Sequence, residues 1–393
     1  MQATPQTLYG VLINPGDTAV IAGNGTPGFV DNVQGTSGQL SAPVELGIDG
    51  VDNLYIADQR NNSIRKLDTT GLLTTVAGSG PHNTGSCSGS SSDGDNGLAL
   101  SAHIGCPQGV AVLANGSFIV SDSGGGEMRA VNMQGTTQQM YTVSVPSLYI
   151  EKIAMIGFPL GSGMDGSRNL YTASYSQSAV YETTTAGVTS VFAGTAGSPG
   201  FSGDGGDRRS AQLNTPFDVK VGPDGKIHII DTGNNLERVV DPTTGVITTA
   251  TGDYNVCGTV GGYLGDNGPS ILACLNYPIG VGGFDSHRNY YIGDLNNNAF
   301  RKVTLYPATA TLTTACAGSG NGSVASNDSV IACTCTVGVA SGTCTDTVTG
   351  GAQVILTATA SGIAFFTGFS GGGCSTSPCT VTAGNDTTVT AYI

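Results

Sequence analysis

No tryptophan occurs among the 393 residues, histidine occurs four times, and lysine and arginine together number 14. The few imidazoles (His82, His103, His228 and His287) do not recur at equivalent inner positions of the internal repeats, as a central histidine-bound metal site would require. Cations are outnumbered by 28 acidic residues, giving a net charge of −14. Such a surface repels phosphate backbones and anionic headgroups, so neither nucleic acid nor a membrane surface is an expected partner. Charged residues make up 11% of the chain, against about 25% in an ordinary domain. There is no run of about 18 apolar residues to cross a bilayer as a helix, so no membrane insertion is expected. No Cys-x-x-Cys pair faces another, and Cys333-Thr-Cys335 has no histidine partner, which argues against structural zinc. Two short patterns match only in outline. Gly23–Gly28 fits G-x-G-x-x-G but lacks a following helix start, and Gly368–Gly372 fits G-x-S-x-G but no histidine follows it.

Glycine, by contrast, is abundant at 61 residues, and hydrophobic content is an ordinary 39%, enough for two or three folded domains. Ten cysteines without a metal pattern point to disulfides and an oxidising compartment. The expected location is extracellular or on the cell surface, after removal of a leader not present in this sequence.

Internal repetition is the strongest signal. Leu54–Asp58 returns as Phe118–Asp122, Leu170–Ser174, Ile227–Asp231 and Tyr290–Asp294, at successive gaps of 64, 52, 57 and 63 residues. Seven positions after Asp58, Asp122, Asp231 and Asp294 come Arg65, Arg129, Arg238 and Arg301. In the third copy Ser174 replaces the acid and Tyr181 the arginine, the coupled loss expected of a charge-assisted pair. An acid also lies 12 residues before a proline in four copies: Asp31 to Pro43, Asp95 to Pro107, Asp204 to Pro216, and Asp266 to Pro278. Between acid and arginine sit Asn61-Asn62, Gly125-Gly126, Asn234-Asn235 and Asn297-Asn298, residue types that accept positive φ in tight turns. Each copy therefore reads as short antiparallel strands joined by turns. The expected fold is all-β: a five-bladed β-propeller of four-stranded blades, with Asp17–Gly23 supplying the outer strand of the last blade.

Phe201–Gly206 with Ala211–Pro216, and Leu54–Asp58 with Ile64–Leu67 and Thr74–Gly78, resemble the NHL-repeat family in its bacterial extracellular form, over residues 17–305. The resemblance implies a propeller, and six blades, common in that family, are the alternative count. Residues 306–393 form a second, small all-β module with six cysteines and no lysine or arginine. Gly351–Ala360, Phe366–Cys374, Cys379–Val381 and Thr388–Ala391 are similar to the divergent InlB B-repeat, with Phe369 where that family usually has tryptophan. That likeness, over residues 308–393, implies a spacer or adhesive role.

Cys87 and Cys106 bracket one Gly-Asp-Asn-Gly loop and Cys257 and Cys274 the other, so each pair is expected to form a staple. Cys374 with Cys379 is a third expected bridge, whereas Cys316, Cys333, Cys335 and Cys344 leave three connectivities open. Asp95, Asp204 and Asp266 are calcium candidates by their Asp-Gly loops, although, like Asp31, they fit turn capping more simply. The expected function is non-enzymatic binding or adhesion, without a cofactor, through a propeller loop face that takes protein or carbohydrate. The alternatives are a filament subunit polymerising head-to-tail through terminal strands, and a metal-dependent propeller lyase or lactonase.

Overall fold

The computed structural model describes residues 6–14, 17–80, 92–266, 268–285, 289–304, 309–349, 353–382 and 386–393. It is nearly all β and divides into two compact units, one reaching residue 303 and the other comprising residues 304–393 with the short stretch that ends at Asn289.

Besides two two-stranded hairpins, five antiparallel sheets follow one another through the first unit. From its outer to its inner edge the first sheet holds Val33–Gln34, Leu72–Ala77, Ser63–Leu67, Leu54–Asp58 and Pro43–Ile48. The second sheet (innermost strand Pro107–Val112) and the fourth (innermost strand Asp218–Val221) have the same order, each with a two-residue fifth strand at the outer edge. The third sheet has four strands, from Pro159–Met164 to Thr189–Ala193. The fifth has three among the described residues: Pro278–Phe284, Asn289–Asp294 and Ala299–Thr304. Innermost strands of consecutive sheets lie against one another, the layout of propeller blades. Alternation along each strand sends one set of side chains to each neighbouring sheet. Tyr55, Ala57 and Ile64 of the first sheet thus pack with Val110, Phe118 and Val120 of the second.

The repeated acid and arginine explain how the loops are held. Arg65 is fully buried and lies 3.0 Å from both Asp58 and Asp31, while also donating to the carbonyls of Gln39 and Val30. Arg129 bridges Asp122 (3.2 Å) and Asp95 (2.9 Å) and donates to the carbonyls of His103 and Asp93. Arg238 lies 2.7 Å from Asp204 and 3.7 Å from Asp231; Arg301 lies 3.3 Å from Asp266 and 3.8 Å from Asp294. Each guanidinium fastens the preceding glycine-rich loop to the end of the second strand. Phe29, Phe201 and Tyr263 cover three of these arginines at 4.7, 5.0 and 4.9 Å. The strand-end acid is satisfied from other sides too: Asp58 accepts from the Ser41 amide (2.7 Å) and from Asn61 (2.7 Å). Asn234 and Asn297 repeat the contact at 2.8 Å to Asp231 and Asp294. The two asparagines of the turn therefore divide the work. Asn62, at φ 51°, supplies the left-handed residue, and Asn61 holds the carboxylate. In the third copy the Ser174 hydroxyl instead donates to the carbonyl of Gly157 at 2.6 Å, and Tyr181 packs among apolar neighbours.

Two expectations need correction. Four strands per sheet holds only for the third, because the loop acid anchors an extra two-residue strand in the first, second and fourth. Asp17–Gly23 forms no strand and is not hydrogen-bonded into the fifth sheet. Ile21 and Ala22 are drawn instead onto Ile56, Leu67 and Leu73 of the first sheet, where apolar burial outweighs an unmade ladder.

The second unit packs a four-stranded sheet and a five-stranded sheet around Leu312, Val324, Leu356, Val381 and Val389. Thr309–Ala317 and Thr387–Tyr392 run parallel, and Phe369, 6% exposed, joins the core beside Phe366. Cys316 is bonded to Cys335, tying one sheet to the other, and Cys333 to Cys344, which decides among the three connectivities. Cys257 is bonded to Cys274 and Cys374 to Cys379. Cys106 is disulfide-bonded, and its expected partner Cys87 lies outside the described residues. Among the described residues no cysteine is free.

Replacing Arg129 by Ala would strand the buried Asp122 carboxylate and release the loop at Asp95. A loss of about 3–5 kcal/mol is expected in chemical denaturation. Exchanging the third copy's pattern into the fourth (Asp231→Ser with Arg238→Tyr) should cost less than the two single changes summed.

Candidate functional site

The innermost strands carry one position that sequence reasoning passed over. Two residues after Pro43, Pro107, Pro159, Pro216 and Pro278 stand Glu45, Gly109, Gly161, Asp218 and Gly280. Side chains at this position converge between the sheets. Glycine in three copies leaves room for carboxylates in the other two: a Cβ on Gly109 would lie 2.9 Å from Glu45 Oε2, and one on Gly161 would overlap Asp218 Oδ1. Lys220, two residues beyond Asp218, fills the centre. Its ammonium donates to Glu45, to Asp218 at 2.9 Å and to the Ser162 carbonyl at 3.0 Å, joining the first, third and fourth sheets. Asp218 in turn accepts the Val281 amide of the fifth sheet at 2.9 Å.

Side chains of Glu45 and Lys220 are 16% and 22% exposed. Burial pushes the Glu45 carboxyl up to about 7, with Lys220 only partly opposing it. Burial alone would lower the Lys220 ammonium, but Asp218 and Glu45 hold it above its ordinary range. Glu45 can therefore exchange a proton near neutrality beside a fixed cation that already uses its three donors. Between the fourth and fifth sheets lies another buried network. His228 Nδ1 is 2.7 Å from Glu237, which also accepts from Thr251 (2.7 Å) and from Tyr290. Burial works against the imidazolium, yet the nearby carboxylates of Asp224 (3.6 Å) and Glu237, which can accept its protons, push His228 up to about 9.

The calcium candidates lie elsewhere. Asp95, Asp204 and Asp266 each face an arginine, so a guanidinium balances each charge where a cation would have. Among the described residues, no three histidine, cysteine or acidic side chains gather as a metal site.

An open cavity of about 220 Å³ lies between the second and third sheets. Its wall includes Asn115, Ser117, Gln138, Tyr141, Arg168 and Thr185. The second copy supplies a hairpin, Gln138–Met140 with Val143–Val145, that the other copies lack among the described residues. Tyr141 at its tip takes φ 56° and donates through its hydroxyl to the Arg168 carbonyl at 3.3 Å, fixing the hairpin on the third sheet. Burial pushes the Tyr141 phenol above its ordinary range, so it stays neutral and able to donate. The guanidinium of Arg168 is exposed and, among the described residues, forms no ion pair, unlike those of the buried arginines. Repeat spacing gives no trace of this hairpin, because the interval that contains it, from Asp122 to Ser174, is the shortest of the four at 52 residues.

No family profile matches the chain, and no curated protein matches it. Among solved structures, a virginiamycin B lyase from Staphylococcus aureus aligns at 12% identity and TM-score 0.40, over 67% of this chain and 66% of its own. An auxiliary nutrient binding protein from Bacteroides thetaiotaomicron aligns at 16% and 0.45, over 67% and 59%. A chain of the nidogen/laminin complex aligns at 17% and 0.44, over 67% and 76%. This chain thus spans slightly under two thirds of the first two. Similarity at this level bears on fold alone.

Glu45 binds its proton more tightly folded (about 7) than unfolded (4.5), and His228 does likewise (about 9 against 6.5). Both stabilise the fold at low pH. The Glu45 contribution is lost as pH rises through 7, and that of His228 as pH rises through 9. Denaturation midpoints should therefore fall steadily from pH 5 to pH 9. Glu45→Gln should flatten the lower part of that slope and His228→Tyr the upper.

Proposed function

We propose that this protein is a non-enzymatic, extracellular or cell-surface binding protein whose ligand is a carbohydrate. The cavity between the second and third sheets carries this reading. Its wall offers amide, hydroxyl and phenol groups beside the apolar Leu113 and Met140 rather than a nucleophile with a base, and such a mixed wall suits the hydroxyls and C–H faces of a sugar. Arg168, an exposed cation without an acid partner among the described residues, favours a sugar bearing a carboxylate, since a guanidinium meets a carboxylate with two parallel donors. The bonded cysteines support an oxidising location. In this reading the second unit, with its likeness to the InlB B-repeat, serves as a spacer that presents the first.

Calorimetric titration of the full chain with uronic-acid oligosaccharides and with neutral glucans tests this. Binding to the acidic sugars is expected, weakening with salt. Arg168→Ala should reduce affinity at least about tenfold with an unchanged melting temperature. Equal affinity of Arg168→Ala and the parent, or no binding to either sugar class, would remove the reading.

A further inference from the structure

Every internal boundary between consecutive sheets joins the same two faces. On the leading sheet the residue six positions after the end of the second strand is covered at all four boundaries: Ile64, Met128, Val180 and Glu237 are each 0% exposed. On the following sheet the residue three positions after the inner proline is covered as well: Val110, Ser162, Val219 and Val281 are 2%, 3%, 0% and 3% exposed. The same two positions at the ends of the series are bare. Leu46 on the first sheet is 60% exposed, flanked by Val44 and Ile48 at 42% and 51%. Phe300 on the fifth sheet is 84% exposed, with Tyr291 beside it at 37%. The two ends therefore present the two halves of a contact that is buried at the other boundaries.

The backbone repeats the mismatch. The Gly78, Gly194 and Gly252 amides, each just past an outer strand, donate to the next sheet's loop at Ala99, Arg208 and Ser270. Gly23 makes the equivalent bond to Gly35 at 2.9 Å. Residues 17–22 thus stand on the first sheet where the outer strand of a preceding sheet would stand. Among the described residues, the fifth sheet has no outer strand beyond Ala299–Thr304.

We propose that both ends are filled by a second copy of this chain. The fifth sheet of one copy seats Phe300 against Leu46 of the next, and residues 17–22 of that next copy add to Ala299–Thr304 as the missing strand. The new boundary continues the internal series, which is the reason its occupant is a sheet of this chain. In the folded chain both faces are exposed, so the sheet that meets each belongs to another copy. Such a contact is heterologous. It does not close on a pair, and it leads to head-to-tail rows. It involves surfaces separate from the cavity of the second and third sheets, so it stands or falls independently of the carbohydrate reading.

By the register of Lys66 opposite Thr74, Lys302 should lie opposite Ala19. Full-length protein carrying Ala19→Cys and Lys302→Cys, oxidised and run on a non-reducing gel, should give a ladder of dimers and longer species. Light scattering of the parent protein should show mass rising with concentration. Phe300→Asp alone and Leu46→Asp alone should each remain monomeric without a lower melting temperature. An equimolar mixture of the two should form dimers and stop there, because each supplies the intact face the other lacks. Cross-linking confined to single chains would show that the ring closes on itself and would overturn the proposal. A constant monomer mass without cross-links would overturn it as well.

Discussion

A buried guanidinium held between two carboxylates is the constraint on which the first unit depends. The chain has few cations, and four of its arginines occupy this one position in four copies. Each gathers a strand-end acid, a loop acid and loop carbonyls: two for Arg65, Arg129 and Arg238, and one, that of Leu264, for Arg301. A glycine-rich loop has high conformational entropy when free, and several charge-assisted bonds to one rigid side chain offset that cost. Isolation of either charge inside the sheet would be expensive, so acid, arginine and loop strand are absent together in the third copy.

Toward the axis the rule is different. The innermost strands approach so closely that three of five copies place glycine where the others carry Glu45 and Asp218. One lysine then neutralises part of the charge and links three sheets. Polar groups concentrated at the axis and apolar ones between sheets leave the outer turns to vary. The hairpin of the second copy, with Tyr141 at its tip, is such a variation, and it walls the cavity.

The second unit solves its stability problem covalently. Its core is small, and the bond from Cys316 to Cys335 joins its two sheets directly. A bridge closing a loop of this length contributes about 3 kcal/mol, a large share of what a small domain can accumulate.

Much of this architecture follows from spacing along the chain. The seven-residue interval from Asp58 to Arg65, and the 12-residue interval from loop acid to proline, describe contacts within one sheet and its loop. A strand of fixed rise carries such intervals into space almost unchanged. The strand Val339–Thr343 was not legible, because its Ala, Ser, Gly and Thr residues lack an apolar alternation. The meeting of Glu45 with Lys220, 175 residues apart, the cavity beneath Tyr141, and the exposure of Leu46 and Phe300 were decided by tertiary structure alone. Those features depend on how whole sheets are angled about one another, and no local interval along the chain encodes that angle.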